Sequence, residues 1–295
     1  MTRGFVTIAT GDSHYYMEAA NLLASYRYFT ANPIPFALLC DEQNQYTEQF
    51  DDVIVMENPH RSYLDKLSLP VYAPYDETIF IDADCLAYRD LNDFWDYFEG
   101  ADDFTAFGLS FPPHHKKHWF KREDVGEYGD RISFIPEFMG HVYFIRKTER
   151  LAEFTRTCSE ILERYGEFKF RLFDEPADEP IFALAMALHG FRPVDRTLAP
   201  ICFLPFATYF RADISEGIAE FVAENELECT EPRRAYLVHW TNLRVGKPGY
   251  LLEVARLHHV LHSDDEAEAW AAFAKTVYPS KEGGVGSLFL ESGVG

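Results

Sequence analysis

Two carboxylates one residue apart, Asp82 and Asp84, end the apolar run Thr78-Ile79-Phe80-Ile81. Oxygen ligands of this kind suit a hard divalent cation such as Mg2+ or Mn2+, which phosphate oxygens can share with the protein. The run is preceded by Asp76 and Glu77 and has the length of a buried strand. With a side-chain period of two along residues 78–85, Phe80, Asp82 and Asp84 fall on one face, and Ile79, Ile81 and Ala83 on the other. Both carboxylates would then project together from the C-terminal end of the strand, the edge at which open α/β sheets bind ligands. The motif alone has a plain alternative, because Asp is common wherever a strand becomes a turn.

The elements that must position this pair alternate between strand and helix. Residues 5–9 read as a first strand, followed by the turn Thr10-Gly11-Asp12-Ser13 and a helix with Tyr16, Ala19, Ala20, Leu23 and Tyr26 at helical spacing. Further strands are expected at 35–40, closed by Asp41, and at 53–56, with a short helical piece at 64–68 cut by Pro70. Asp90 opens a helix bearing Leu91, Phe94, Trp95 and Phe98 that Gly100 closes. Downstream, a strand at 142–145 leads to a helix capped by Thr148, and Asp178 precedes a helix that stops at Gly190. Strands at 191–194 and 236–240 and helices at 250–261 and 266–277 follow, then an unstructured Gly-rich tail at 283–295. This alternation predicts an α/β fold, a mostly parallel sheet flanked by helices. Residues 104–136, with Pro112-Pro113-His114-His115-Lys116-Lys117-His118-Trp119, read as a long loop or a small excursion over the sheet edge.

The chain has 295 residues, 47% of them hydrophobic, enough for one large core. No apolar run reaches the length of a membrane span and no signal-peptide pattern opens the sequence, so a cytoplasmic protein is expected. Five scattered cysteines (40, 85, 158, 202 and 229) form no Cys-x-x-Cys pair and are read as reduced. A net charge of −21 argues against nonspecific binding to nucleic acid or an anionic membrane. It also sets a constraint: an anionic substrate would need a metal ion or a few well-placed cationic side chains.

Four matches, in order along residues 5 to about 250, carry a resemblance. They are Phe5-Val6-Thr7-Ile8-Ala9-Thr10-Gly11-Asp12 with Tyr16-x-x-Ala19-Ala20; Asp65-Lys66-Leu67, with Lys66 sixteen positions before Asp82; Asp82-Ala83-Asp84 with Arg89-Asp90-Leu91; and Val238-His239-Trp240 followed by Gly246-Lys247-Pro248. On these the chain resembles nucleotide-sugar glycosyltransferases of the Rossmann-like GT-A fold, most closely family 8, the glycogenin and galactinol synthase group. The resemblance implies a single catalytic domain over 1–262, with a C-terminal helix and flexible tail over 263–295. It implies nucleoside contacts from Ala9, Thr10, Asp12 and Tyr16, and diphosphate contacts from Lys66, Ala83, Gly246 and Lys247. It implies Mn2+ or Mg2+ held by Asp82, Asp84 and His239, with a UDP-sugar as donor and a sugar or glycan as acceptor. Asp178 and Glu179 match the family's Asp-Gln pair near the transferred sugar. The sequence departs from the family in a His239 to Lys247 spacing two residues longer, in Asn242 at a usual glycine, and in Phe138-Met139-Gly140-His141 where Asn-x-Gly is usual.

Several of these residues have a second reading. Asp178 can be a helix N-cap, His239 a satisfied core histidine, Tyr16 a core aromatic, Lys66 a solvated helix residue, and Asp12 and Asp41 turn residues. His114, His115 and His118 with two lysines read as a solvated basic flap rather than a metal site. The expected reaction is sugar transfer to a hydroxyl with retention at the anomeric carbon; inversion would require a carboxylate base, for which Asp178 or Glu179 are the candidates. Alternatives are a catalytically inert sugar-nucleotide or glycan-binding module and, less favoured, a sugar-phosphate nucleotidyltransferase, since Thr10-Gly11-Asp12-Ser13 carries no basic residue. The acceptor side is expected from residues 104–136 and 200–213, the latter with Phe203, Phe206, Tyr209 and Phe210.

Overall fold

The computed structural model describes residues 1–114, 119–171, 175–223, 231–241 and 247–262. The chain runs β1 (Arg3–Ala9), α1 (Ser13–Phe29), β2 (Phe36–Cys40), β3 (Asp52–Val55), α2 (Leu69–Tyr72), β4 (Glu77–Ile81), β5 (Cys85–Ala87), α3 (Phe94–Tyr97), β6 (Phe104–Phe111) and β7 (Ile135–Arg146). It continues through α4 (Glu149–Glu163), α5 (Asp178–His189), β8 (Val194–Asp195), β9 (Ile201–Phe203), β10 (Ala207–Asp213), β11 (Ile218–Ala223), β12 (Arg233–Arg234), β13 (Leu237–His239) and α6 (Lys247–Leu261).

Seven strands form the central sheet in the order β3-β2-β1-β4-β7-β6-β8. The pairs among β1 to β4 are parallel, as is β6 with β8, while β7 runs antiparallel to both of its neighbours. The expected mostly parallel α/β sheet is what the chain forms. Both faces are covered, which is why β2 reads Phe-Ala-Leu-Leu-Cys and is buried throughout. On one face Phe104, Tyr143 and Val6 pack against Phe154 of α4 and Phe182 of α5. On the other, Phe5, Phe36 and Ile79 pack against Tyr26 of α1 and Phe94 of α3. Two small sheets, β5-β13-β9 and β10-β11-β12, stand beside the central one, and Trp240, Tyr250, Val254 and Leu257 join α6 to them in a third cluster.

Three expectations need correcting. Residues 104–136 are not one loop: 104–111 form β6 inside the central sheet, and β7 begins at Ile135. Burial on both faces erases the alternation that would mark this strand, and Gly108 hides it further. Its Cβ would lie 2.3 Å from the Glu137 carbonyl of the paired strand, so a glycine serves a close approach here. Pro70 does not cut the helical piece; it lies in the first turn of α2, where its missing N–H is not needed. Finally, 78–85 is not one strand, because β4 ends at Ile81 and β5 belongs to a different sheet.

Cys40, Cys85, Cys158 and Cys202 are free and buried. Among the described residues no helix is long and apolar enough to cross a membrane. The helix expected at 266–277 and the tail at 283–295 lie outside the described residues.

Candidate active site

A tight turn, not a strand face, brings the two carboxylates together. The Asp82 N–H donates to the His141 carbonyl on β7 (2.9 Å), and the Cys85 N–H returns to the Asp82 carbonyl (3.1 Å). The Trp240 N–H donates to the Asp84 carbonyl (3.1 Å), which pins the other end of the turn to the residue after β13. Antiparallel pairing sets His239 opposite Cys85. The His239 Nε2 thereby lies 2.9 Å from Asp84 Oδ1 and 3.8 Å from Asp82 Oδ2. From a third direction Lys66, on the 3-10 helix Tyr63–Ser68, donates from Nζ to Asp82 Oδ2 and to the Gly140 carbonyl, each at 2.8 Å.

Burial and charge act against each other here. Burial raises the Asp82 carboxyl above its ordinary range, with Lys66 opposing. Burial would raise Asp84 as well, but His239 outweighs it and holds that carboxyl low. Burial disfavours charge on His239 and on Lys66; their carboxylate neighbours prevail, and both are raised. Asp84, Cys85 and His239 also place a carboxylate oxygen, a sulfur and an imidazole nitrogen within 4.8 Å of one another. Burial and the adjacent Asp84 push the Cys85 thiol well above its usual value, so the sulfur stays protonated and is a poor ligand for a hard cation.

A second carboxylate pair faces the first across Lys66. Asp178 lies in the first turn of α5 but does not cap it; the N-cap position is Ala177, and the Asp178 Oδ2 instead accepts from the Tyr143 hydroxyl (3.0 Å). Glu179 Oε1 accepts from the Gly140 N–H (2.7 Å). The Gly140 peptide is thus gripped at its N–H by Glu179 and at its carbonyl by Lys66. A Cβ on Gly140 would sit 2.7 Å from the Tyr143 hydroxyl and 3.1 Å from the Glu179 side chain, so only glycine fits. Burial raises Asp178, and burial with Asp178 beside it pushes Glu179 up to about 7.

At the C-terminal ends of β1 and β2, Asp65 is buried and accepts from the Thr10 hydroxyl (2.7 Å) and the His60 N–H (2.6 Å). Asp41 accepts from the Gly11 N–H (3.2 Å), from Arg61 Nε (2.8 Å) and from the Tyr16 hydroxyl. Tyr16 is a core residue tied to Asp41, and Asp12 caps α1 by accepting from the His14 N–H (3.0 Å). Ala9 ends β1, and Ala83 is buried in the turn between the two carboxylates. Asn242, Gly246, His115 and His118 lie outside the described residues; Lys247 begins α6, and its side chain is likewise not described. Phe203 was expected on the acceptor side, whereas His141, which with Phe203 flanks His239, was given no site role by its spacing. Their ring contacts arise only where β7, β9 and β13 meet.

No protein-family model matches the chain, and a search of curated proteins gives no match. Among solved structures the chain is similar to the glycosyltransferase GlyE of Streptococcus pneumoniae TIGR4, with 14% identity and a TM-score of 0.43, over 66% of this chain and 45% of that one. The chain thus spans less than half the length of that solved relative.

Proposed function

We propose that the protein is a metal-dependent glycosyltransferase that moves a sugar from a nucleotide diphosphate donor, a UDP-sugar, to an acceptor hydroxyl with retention. The observation that carries this reading is the convergence of Asp82, Asp84, His239 and Lys66 at the C-terminal edge of β4. Neighbouring ligands of a small octahedral cation stand about 3 Å apart. The 2.9 and 3.8 Å separations of His239 Nε2 from Asp84 and Asp82 are compatible with that spacing. Two carboxylates and an imidazole suit Mn2+ or Mg2+. When bound, the ion supplies Lewis-acid stabilisation of charge on a leaving diphosphate.

The chain's own residues account for the rest of the reading. Lys66 balances the Asp82 charge and stands ready for a phosphate oxygen, with Gly246 and Lys247 assigned to the same diphosphate. Ala9, Thr10 and Asp12 form the nucleoside edge, with Tyr16 acting through Asp41. Asp178 and Glu179 face the transferred sugar. Concentrating the few cations at one place lets an acidic protein hold an anionic donor. Titration calorimetry with UDP is expected to show binding that requires Mn2+, is abolished by EDTA and is lost in Asp84→Ala. Equal affinity for UDP in EDTA, or in that variant, would refute the metal site.

A further inference from the structure

Beyond the donor edge, an unbroken series of rings leads from the carboxylate pair to solvent. Phe203 and His239 are register partners across β9 and β13, and their rings stack with centroids 5.2 Å apart. His141, from β7, lies against both, 4.9 Å from His239 and 5.8 Å from Phe203 at an interplanar angle of 5°. The turn Leu204–Phe206 then brings Phe206 edge-on to Phe203 at 5.0 Å. In the sheet order β7 flanks β4 on one side and β1 on the other. His141 therefore stands on the β7 side of β4, whereas Thr10, Asp12 and Asp41 stand at the ends of β1 and β2.

Two observations point to a ligand. Phe206 is 50% exposed, while the aromatics of the sheet core are almost wholly buried. His141 is only 7% exposed, and its Nδ1 is buried with no hydrogen-bond partner among the described residues. Phe203 and His239 fix the ring on either side, and the Asp82 N–H holds its backbone. A buried imidazole nitrogen left without a partner is unfavourable, and a hydrogen bond from a ligand would relieve it. An exposed aromatic face beside a fixed hydrogen-bonding group is what a sugar needs, since its ring offers apolar C–H faces and hydroxyl edges. Phe210 has no part in it, because its ring packs edge-on against Trp240.

We propose that His141, Phe203 and Phe206 form a saccharide subsite that takes a neutral pyranoside, with one C–H face of a ring on Phe206 and a hydroxyl on His141. Its assignment to the acceptor, as distinct from a saccharide in general, rests on the glycosyl-transfer reading. Neutral glycosides are favoured over acidic sugars because Asp82, Asp84, Asp178 and Glu179 stand nearby in a chain of net charge −21.

The test is saturation-transfer NMR and affinity titration of the full chain with the methyl glucopyranosides and galactopyranosides, and with glucuronic acid as the charged comparison. Expected are saturable binding with transfer concentrated on the C–H protons of one ring face, weaker binding of glucuronic acid, a loss of about tenfold in Phe206→Ala, and retention within about threefold in Phe206→Trp. The Phe206→Trp indole is also a fluorescence reporter, and a saturable change on adding glycoside is expected even if Phe206→Ala fails to fold. Absence of glycoside binding to the unmodified protein, or undiminished binding by a folded Phe206→Ala, would overturn the subsite. Calorimetry with UDP and Mn2+ on the same samples reads the transferase proposal separately. Glycoside binding without UDP binding would sink the transferase reading and keep the subsite, and the reverse would sink the subsite alone.

Discussion

Glu179 sits where three carboxylates, its own, Asp178 and Asp82, face the single ammonium of Lys66, with Tyr143 and the Gly140 N–H completing its surroundings. Burial, then Asp178, pushes it from an ordinary 4.5 up to about 7. A folded-state value above the unfolded one means that the protonated side chain favours the fold below about pH 4.5, and that this contribution is lost as pH rises to about 7. The shift corresponds to up to about 3 kcal/mol. Glu179→Gln can still accept from Gly140 but cannot ionise. Denaturant unfolding at pH 5 and pH 8 should show the variant gaining on the natural protein at the higher pH by up to that amount; a difference unchanged with pH would contradict the raised value. Asp82 and Asp84 were legible as a possible cation pair from residue type and spacing, and Lys66 and His239 joined them only through the family resemblance. His141 was not legible, because an isolated histidine after a glycine carries no periodic signal and acquires meaning only from the rings stacked on it.

Among the elements, α4 shows how fully a local signal can specify a boundary. Thr148 caps it by accepting from the Leu151 N–H (3.1 Å) and donates its hydroxyl to Asp103 (2.8 Å). Thr148→Ala should cost about 1 kcal/mol, read as a lower unfolding midpoint, and leave the proposed UDP titration unchanged because the Thr148 hydroxyl bonds to Leu151 and Asp103, neither of them a site residue. Helices of this kind and the buried strands β1, β2 and β4 follow from caps and apolar runs. Strand β6 did not, since two-sided burial removes its alternation and Gly108 resembles a break. The end of β4 was misplaced for a related reason: an Asp-Ala-Asp turn and a continuing strand have the same sequence, and only the pairing of β5 with β13 in another sheet tells them apart.

At the scale of the whole molecule, a net charge of −21 repels itself across a folded surface. Screening weakens that repulsion, with a Debye length falling from about 30 Å at 0.01 M salt to about 8 Å at 0.15 M. The melting temperature should therefore rise between those two NaCl concentrations, and a melting temperature that falls would show attractive surface pairs to dominate. The sequence by itself determined the α/β alternation, the acidic balance and the presence of an Asp-x-Asp pair at the end of an apolar run, because each is written in residue type and local periodicity. Tertiary structure decided what meets that pair. The 82–85 turn, the antiparallel β5 and β13 register and the reach of Lys66 across Gly140 are contacts between segments up to 154 positions apart, as Cys85 and His239 are, and pairing between strands carries no trace in either strand alone.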